Sequence, residues 1–255
     1  MVETRCRHGA APDRAMVLAA GLGTRMRPFN GQVPKPLVQV GGKALIDYVL
    51  DRLAAQGVER AVVNVHHLAD QIERHLASRR QPQIIISDER RELLGTAGGV
   101  IKALPQLGDN PFFHVNSDTI WVDGVKPNLA LLAGAFDSAR MDALLLLASS
   151  TSSIGYVGVG DFAMTPDGKL ARRAEREIAP FVYAGAAILT PAFFAGVPGG
   201  PSSMSPLFDR SAASHAPRGT FPDSSTTDHR PTEANVAAPS QAAGTQNPPH
   251  PLSLP

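Results

Sequence analysis

The feature of this sequence that most restricts its fold is a regular alternation of short apolar runs with segments of helical periodicity. Six runs have the length of buried strands: Ala15–Ala20, Ala61–Val65, Gln83–Ser87, Phe112–Val115, Ala143–Ala148 and Phe181–Leu189. Four segments between them place apolar residues on one helical face: Lys43–Gln56, Leu68–Ser78, Thr96–Leu104 and Asn128–Arg140. The alternation predicts a three-layer α/β fold, with a doubly wound, mainly parallel, Rossmann-like sheet covered by helices on both faces.

Composition divides the chain into three parts. Residues 1–14 are charged throughout and are expected to form a flexible leader, and residues 15–210 are expected to form one folded domain. In that domain, Tyr156–Ala163 and Lys169–Arg172 flank the turn signal TPDG and predict a small β-hairpin. Residues 211–255 contain eight prolines and only four Ile, Leu, Val or Phe residues. So little apolar surface cannot offset the entropy of ordering, so we expect a disordered or aberrant, out-of-frame tail.

Charge and cysteine content exclude several classes of protein. A net charge of +1 without a basic block argues against nucleic acid as a partner. No run approaches the roughly 18–20 apolar residues that span a bilayer, which argues against a membrane partner. The single Cys6 cannot form a disulfide framework within one chain, and the leader lacks the apolar stretch of a secretory signal. These features predict a cytoplasmic protein.

A glycine-rich turn follows the first strand, in LAAGLGTRMRP at residues 18–28. Open parallel sheets bind ligands beyond the carboxyl ends of their strands, and Gly21 and Gly23 permit the main chain to approach phosphates closely. Arg25 adds charge-assisted hydrogen-bond donors. A dinucleotide-binding loop is excluded because it needs a third glycine at the position of Met26. The turn therefore indicates phosphate binding, and the alternative is that its glycines only make the chain turn tightly.

A second phosphate-directed motif comes ten residues after Arg25. PKPL, residues 34–37, holds Lys35 between two prolines in a segment expected to be stiff and extended. The two motifs in this order resemble the sugar-1-phosphate nucleotidyltransferases, also called sugar-nucleotide pyrophosphorylases. LLGTAGGVIKAL, residues 93–104, is similar to the base-contacting loop of that family, and FFHVNSD, residues 112–118, to its strand that ends in a metal-binding aspartate.

The resemblance covers residues 15–210 and implies a nucleotidyltransferase fold of the GT-A type, with a hairpin subregion on the sugar side. It also implies the reaction: a sugar 1-phosphate attacks the α-phosphorus of a nucleoside triphosphate and expels pyrophosphate. FVYAGAAIL and SMSPLFDR are similar to the branch that joins UTP to N-acetylmuramate 1-phosphate in peptidoglycan recycling. The implied partners are thus a nucleoside triphosphate, with UTP favoured, and a sugar 1-phosphate. Mannose-1-phosphate guanylyltransferases share the first two motifs and are the alternative.

The resemblance assigns roles to individual residues. Arg25 would reach the triphosphate, Lys35 would bridge the reacting phosphates, and Asp118 would hold Mg²⁺. The implied nucleotide-binding residues are Ala19, Ala20, Gly21, Gly23, Thr24, Arg25, Gly95 and Thr96. The implied sugar-phosphate residues are Lys35, Asn116, Tyr183 and Gly185.

Several of these residues also have a purely structural interpretation. Lys35 is in that case a solvated lysine, and Asp118 caps the turn after its strand. Asn116 either supports the Asp118 loop or meets the sugar. Gly98 and Gly99, in the base-contacting motif, are equally well explained by close helix packing.

The sequence departs from the family at its second metal ligand. The family carries a second aspartate in a W-x-D-x-G-T stretch near the end of the domain, but the only tryptophan here is Trp121. Asp123 and Asp161 are possible replacements, although the spacing favours neither. A function of another class therefore stays open, that of a catalytically weak, nucleotide-binding regulatory protein.

Overall fold

Nine strands of the described residues form a mixed sheet at the centre of the protein. The structure, a computed structural model, describes residues 11–23, 32–151, 153, 156–209, 218–220 and 229–231. The strands are β1 (Arg14–Leu18), β2 (Gln39–Val40), β3 (Lys43–Ala44), β4 (Arg60–Val65), β5 (Gln83–Asp88), β6 (Phe112–Asn116), β7 (Thr119–Trp121), β8 (Ala143–Ser149), β9 (Phe162–Met164), β10 (Leu170–Arg172), β11 (Phe181–Leu189), β12 (Arg218–Thr220) and β13 (His229–Pro231). β2 pairs with β3, and β7 with β13, outside the central sheet.

The central sheet has the order β5-β4-β1-β6-β11-β8-β12, and the β9–β10 hairpin joins it at the start of β11. β1 is parallel to β4 and β6, and β4 is parallel to β5. β11 runs antiparallel to both of its long neighbours, β6 and β8. The chain reaches β11 from a hairpin and not from a helical crossover, which explains its reversed direction. The predicted α/β fold with a mainly parallel sheet is confirmed.

Four helices cover the two faces of this sheet: α1 (Leu45–Ala55), α2 (Ala69–Leu76), α3 (Gly95–Leu107) and α4 (Asn128–Ala135). Buried side chains of α1, α2 and α4 share one apolar cluster with Val17 of β1. Those of α3 share a second cluster with the neighbouring Met16. Because neighbouring side chains of a strand point to opposite faces, the clusters form the two interfaces of a three-layer structure. None of the helices in the described residues is long and apolar enough to cross a membrane.

α4 is shorter than predicted, since the expected helix extended to Arg140. Phe136 leaves the helical conformation, with φ −78° and ψ 130°, although its N–H still donates to the carbonyl of Leu132. The Asp137 carboxylate then accepts a hydrogen bond from the N–H of Ala139 at 3.0 Å. This local turn competes with helix continuation, which explains the early end.

Strands of the structure also lie outside the expected boundaries of the domain at both ends. β1 begins at Arg14, inside the expected leader, and the carbonyl of Asp13 accepts hydrogen bonds from β4 and the residue before it. In the expected tail, β12 pairs in parallel with β8, and β13 pairs with β7. An exposed edge strand has unpaired backbone groups, and β12 satisfies those of β8.

Candidate nucleotide and sugar-phosphate site

The turn after β1 lies at the carboxyl edge of the sheet, where the sequence predicts the nucleotide. Ala19 and Ala20 are buried, and Gly23 adopts a φ of +60°, which glycine tolerates best. No described atom lies within 4 Å of the position that a Cβ would take on Gly21, so the backbone is accessible on that side. Thr24 and Arg25, also predicted to bind the triphosphate, lie outside the described residues.

Lys35 and Asp118 meet at this edge of the sheet. Lys35 Nζ lies 2.5 Å from Asp118 Oδ2, and the two side chains are 13% and 29% exposed. Asp118 follows β6, and the N–H of Ser117 donates to the carbonyl of Leu18 at 3.1 Å, which ties the Asp118 loop to the end of β1. A cation and an oxygen ligand of the kind that Mg²⁺ prefers thus lie together beside the glycine-rich turn after β1.

The segment that carries Lys35 is not extended as predicted. Lys35–Leu37 forms a 3₁₀ turn, and only the preceding Pro34 is extended, with ψ 143°. The N–H of Leu37 donates to the carbonyl of Pro34 at 2.8 Å, and the N–H of Val38 donates to that of Lys35 at 3.1 Å. Pro34 and Pro36 have no N–H to donate. The hydrogen bonds that close the turn therefore come from the N–H groups of Leu37 and Val38.

Asn116 and Gly185 lie next to each other across β6 and β11. Gly185 interrupts the register of β11 and has a φ of +76°. A Cβ on it would lie 2.4 Å from Thr119 Oγ1 and 3.2 Å from Asn116 Nδ2. This glycine therefore permits a close approach to the start of the Asp118 loop, and its predicted contact with the sugar phosphate stays a prediction.

We expect Gly185→Ala to raise the KM for the sugar 1-phosphate by about 10-fold, because the new methyl group would displace Asn116 and Thr119. Steady-state kinetics with varied sugar 1-phosphate measures this. Gly196→Ala is the matched control, since Gly196 has a φ of +73° but no described atom near its Cβ position. An equal rise of the KM in both variants would contradict the prediction.

Tyr183, predicted to contact the sugar, is engaged elsewhere. Its hydroxyl oxygen lies 3.2 Å from His114 Nδ1, and its ring lies 6.3 Å from that of Phe208. These contacts belong to the α3 face of the sheet, whereas none of the described contacts joins Tyr183 to Lys35 or Asp118. Tyr183 lies just before the register shift of β11, and its predicted contact with the sugar stays a prediction.

His114 makes the fold sensitive to acid. It is 2% exposed, and burial lowers its pKa from 6.5 to about 4. Between these two values the unfolded chain binds the proton and the folded chain does not, so stability is lost as the pH falls. The loss is about 3 kcal/mol at pH 4.

We expect His114→Leu to flatten the fall of Tm between pH 6.5 and 4, because leucine does not titrate. Calorimetric unfolding across this pH range measures the slope. Tyr183→Phe is the control, and it should keep the wild-type slope because burial, not the tyrosine, lowers the pKa. A wild-type slope in His114→Leu would contradict this assignment.

The start of α3 is covered by a later loop of the chain. The N–H of Gly98 donates to the carbonyl of Ser202 at 3.3 Å, and the N–H of Met204 donates to Thr96 Oγ1 at 2.8 Å. A Cβ on Gly95 would lie 2.7 Å from the backbone carbonyl oxygen of Ser202. Contact with this loop thus accounts for the glycines Gly95 and Gly98 and for the hydrogen bond that the Thr96 hydroxyl accepts. The predicted contacts of Gly95 and Thr96 with the base stay predictions.

Two buried polar residues beneath the site were missed in the sequence. Asn64 and Glu89 are 2% and 1% exposed. The N–H of Ala19 donates to Asn64 Oδ1 at 2.7 Å, and Asn64 Nδ2 donates to Glu89 Oε1 at 2.8 Å. The available signal was an asparagine within the otherwise apolar strand AVVNV.

The candidate metal ligands reduce to Asp118. Asp123 accepts hydrogen bonds from Trp121 Nε1 and Arg52 Nε, each at 3.1 Å, and Asp161 accepts one from a backbone N–H of β11. Both carboxylates therefore have structural partners among the described residues. No group of three or more His, Cys, Asp or Glu side chains in the described ranges could hold a metal ion. The donor set fits Mg²⁺ that is bound by one carboxylate together with nucleotide phosphates.

Comparison with known proteins places the chain among nucleotidyltransferases. The family described as MobA-like NTP transferase domain matches residues 15–150. N-acetylmuramate α-1-phosphate uridylyltransferase of Caulobacter vibrioides is 48% identical over 84% of this chain and 90% of its own length. The enzyme of the same name from Neisseria meningitidis is 34% identical over 73% of this chain and 79% of its own length. The mannose-1-phosphate guanylyltransferase β subunit of Danio rerio is 38% identical over 42% of this chain and 31% of its own length.

A solved structure supports the fold. The inositol-1-phosphate CTP transferase of T. maritima superposes with a TM-score of 0.69, at 18% identity, over 88% of this chain and 92% of its own. The sequence matches, which extend from the glycine-rich turn after β1 beyond the Asp118 loop, identify the family. The chain belongs to the sugar-1-phosphate nucleotidyltransferases, enzymes that transfer a nucleotide to a sugar 1-phosphate.

Proposed function

We propose that this protein transfers UMP from UTP to N-acetylmuramate 1-phosphate, which yields UDP-N-acetylmuramate and pyrophosphate. The observation that carries the chemistry is the Lys35–Asp118 pair at the carboxyl edge of the sheet. The choice of UTP and this sugar rests on the two uridylyltransferase relatives, which align along most of the chain. Such an activity serves peptidoglycan recycling, and we assign it to the cytoplasm because nucleoside triphosphates are held there.

The reaction requires no protein nucleophile. A phosphate oxygen of the sugar 1-phosphate attacks the α-phosphorus of UTP, the bond to the bridging oxygen breaks, and pyrophosphate leaves. Two anions must be held in line while charge develops between them, so positioning and electrostatic stabilisation carry the catalysis. The backbone of the turn at Gly21 and Gly23 and the side chain of Arg25 bind the triphosphate in this proposal.

Lys35 acts at the reacting centre. Its ammonium group pairs with Asp118, and in this proposal it turns to oxygens of the two phosphates when they bind. Asn116, the last residue of β6, and Gly185, beside it at the irregular register of β11, orient the sugar phosphate. Asp118 would hold Mg²⁺, which would supply positive charge at the triphosphate.

The test is Mg²⁺-dependent release of pyrophosphate by the full chain. UTP, GTP, dTTP and CTP are each combined with the 1-phosphates of N-acetylmuramate, mannose and glucose. We expect release only with UTP and N-acetylmuramate 1-phosphate, with an equal amount of UDP-sugar and none without the sugar phosphate.

The other outcomes separate the alternatives. Release with GTP and mannose 1-phosphate would replace the proposal with a guanylyltransferase, which the partial relatives favour. Folded protein that binds a nucleotide but releases no pyrophosphate with any pair would favour the nucleotide-binding regulatory protein.

A further inference from the structure

We propose that Asn64 and Glu89 form a buried polar bridge that sets the distance between the two nucleotide-binding loops. These loops are the turn at residues 19–23 and the segment at residues 93–99. The inference rests on the proposed function insofar as it takes both loops to bind the nucleotide. In it, the bridge touches no substrate and acts through the backbone of the loops, so Asn64 and Glu89 are positioning residues.

Three hydrogen bonds run in series from one loop to the other. The N–H of Ala19 donates to Asn64 Oδ1 at 2.7 Å, and Asn64 Nδ2 donates to Glu89 Oε1 at 2.8 Å. The N–H of Leu94 then donates to Glu89 Oε2 at 3.0 Å. Ala19 directly after β1, Asn64 near the end of β4 and Glu89 directly after β5 are thus joined beneath the site.

The donor and acceptor at each hydrogen bond of the bridge are fixed. Backbone N–H groups can only donate, so Asn64 must turn its oxygen to Ala19, and Glu89 must accept from Leu94. Both side chains are almost fully buried, at 2% and 1% exposure. Two apolar side chains could fill the same volume, but they would leave the two loop N–H groups unpaired.

α3 packs directly on the bridge. A Cβ on Gly99 would lie 2.7 Å from Glu89 Oε1 and 2.8 Å from Asn64 Nδ2. Glycine at this position therefore permits the contact, and any larger side chain would push the bridge away from the helix. The spacing of the two loops is consequently sensitive to residues that lie behind the binding surface.

The fixed donors and acceptors provide a sharp test. Asn64→Asp places a second carboxylate next to that of Glu89. Glu89→Gln leaves one acceptor oxygen for two donors, Asn64 Nδ2 and the N–H of Leu94. In the double variant the aspartate accepts from Ala19 and from the new glutamine amide, whose oxygen accepts from Leu94, so every bond is restored. We expect each single variant to raise the Kd and the KM for UTP about 10-fold, with kcat changed less than about 3-fold, and the double variant to recover within about 3-fold of wild type.

Calorimetric titration with UTP measures binding without turnover, and amide hydrogen exchange at Ala19 and Leu94 measures the bridge without nucleotide. Faster exchange in each single variant and recovery in the double variant are expected. A double variant whose defect equals the product of the single defects, or single variants that bind like wild type, would overturn the bridge. A wild-type chain that binds UTP but does not react with N-acetylmuramate 1-phosphate would overturn only the proposed substrate.

Thr190→Val is the matched control for lost stability. Thr190 is buried and donates to Asp142 at 3.0 Å, at the far end of β11. This variant should lower Tm and leave the Kd for UTP unchanged. Gly99→Ala tests the bridge if a variant of Asn64 or Glu89 fails to fold. We expect this variant to bind UTP about 10-fold more weakly, and wild-type affinity for UTP would overturn the proposal.

Discussion

Lys35→Ala is expected to lower kcat by about 10³-fold, the largest effect of any single change in this protein. The lysine is 13% exposed, and its charge lies 2.5 Å from Asp118, where the reacting phosphates are proposed to meet. In a site with little water, one fixed donor at a developing charge is worth roughly two to three orders of magnitude in rate. Pyrophosphate release at saturating substrates measures the loss.

Lys43→Ala is the matched control for Lys35→Ala. Lys43 is also paired with a carboxylate, that of Asp51, but both side chains of this pair are exposed at the surface. It should keep kcat within about 2-fold of wild type, because exposed ion pairs contribute little. Full activity of folded Lys35→Ala would refute the role proposed for this residue.

The fold was predictable to the extent that it depends on local patterns. The apolar spacing of α1 and the nine-residue run of β11 both appear in the structure close to their predicted bounds. The antiparallel direction of β11 was not predictable, because strand pairing depends on long-range contacts. The same holds for β12 and β13, three residues each, whose pairing partners lie far away in the sequence.

The site was predictable where a motif fixes a side chain. Lys35 and Asp118 come from separate motifs, and the structure brings them into contact. Asn64 and Glu89 escaped because their partners include backbone N–H groups, which look the same in every residue. Thr96 shows the converse: it was assigned to the base from its motif, but its hydroxyl accepts a hydrogen bond from a loop more than a hundred residues later.

Asp118→Asn is the second change with a large expected effect. The substitution keeps the size of the side chain and removes its negative charge, which strengthens the binding of Mg²⁺ and pairs with Lys35. We expect the Mg²⁺ concentration for half-maximal rate to rise at least about 10-fold and kcat to fall by more than about 10². Initial rates across a Mg²⁺ titration at fixed UTP measure both.

The titration also separates the two roles that Asp118 can have. If it only positioned Lys35, Asp118→Asn would lower kcat as Lys35→Ala does and leave the Mg²⁺ dependence unchanged, which would contradict the metal role. Asp123→Asn is the control, because that carboxylate holds Arg52 and Trp121. It should lower Tm without shifting the Mg²⁺ midpoint. A shift as large as that of Asp118→Asn would mean that Asp123 leaves its structural partners to complete the metal site.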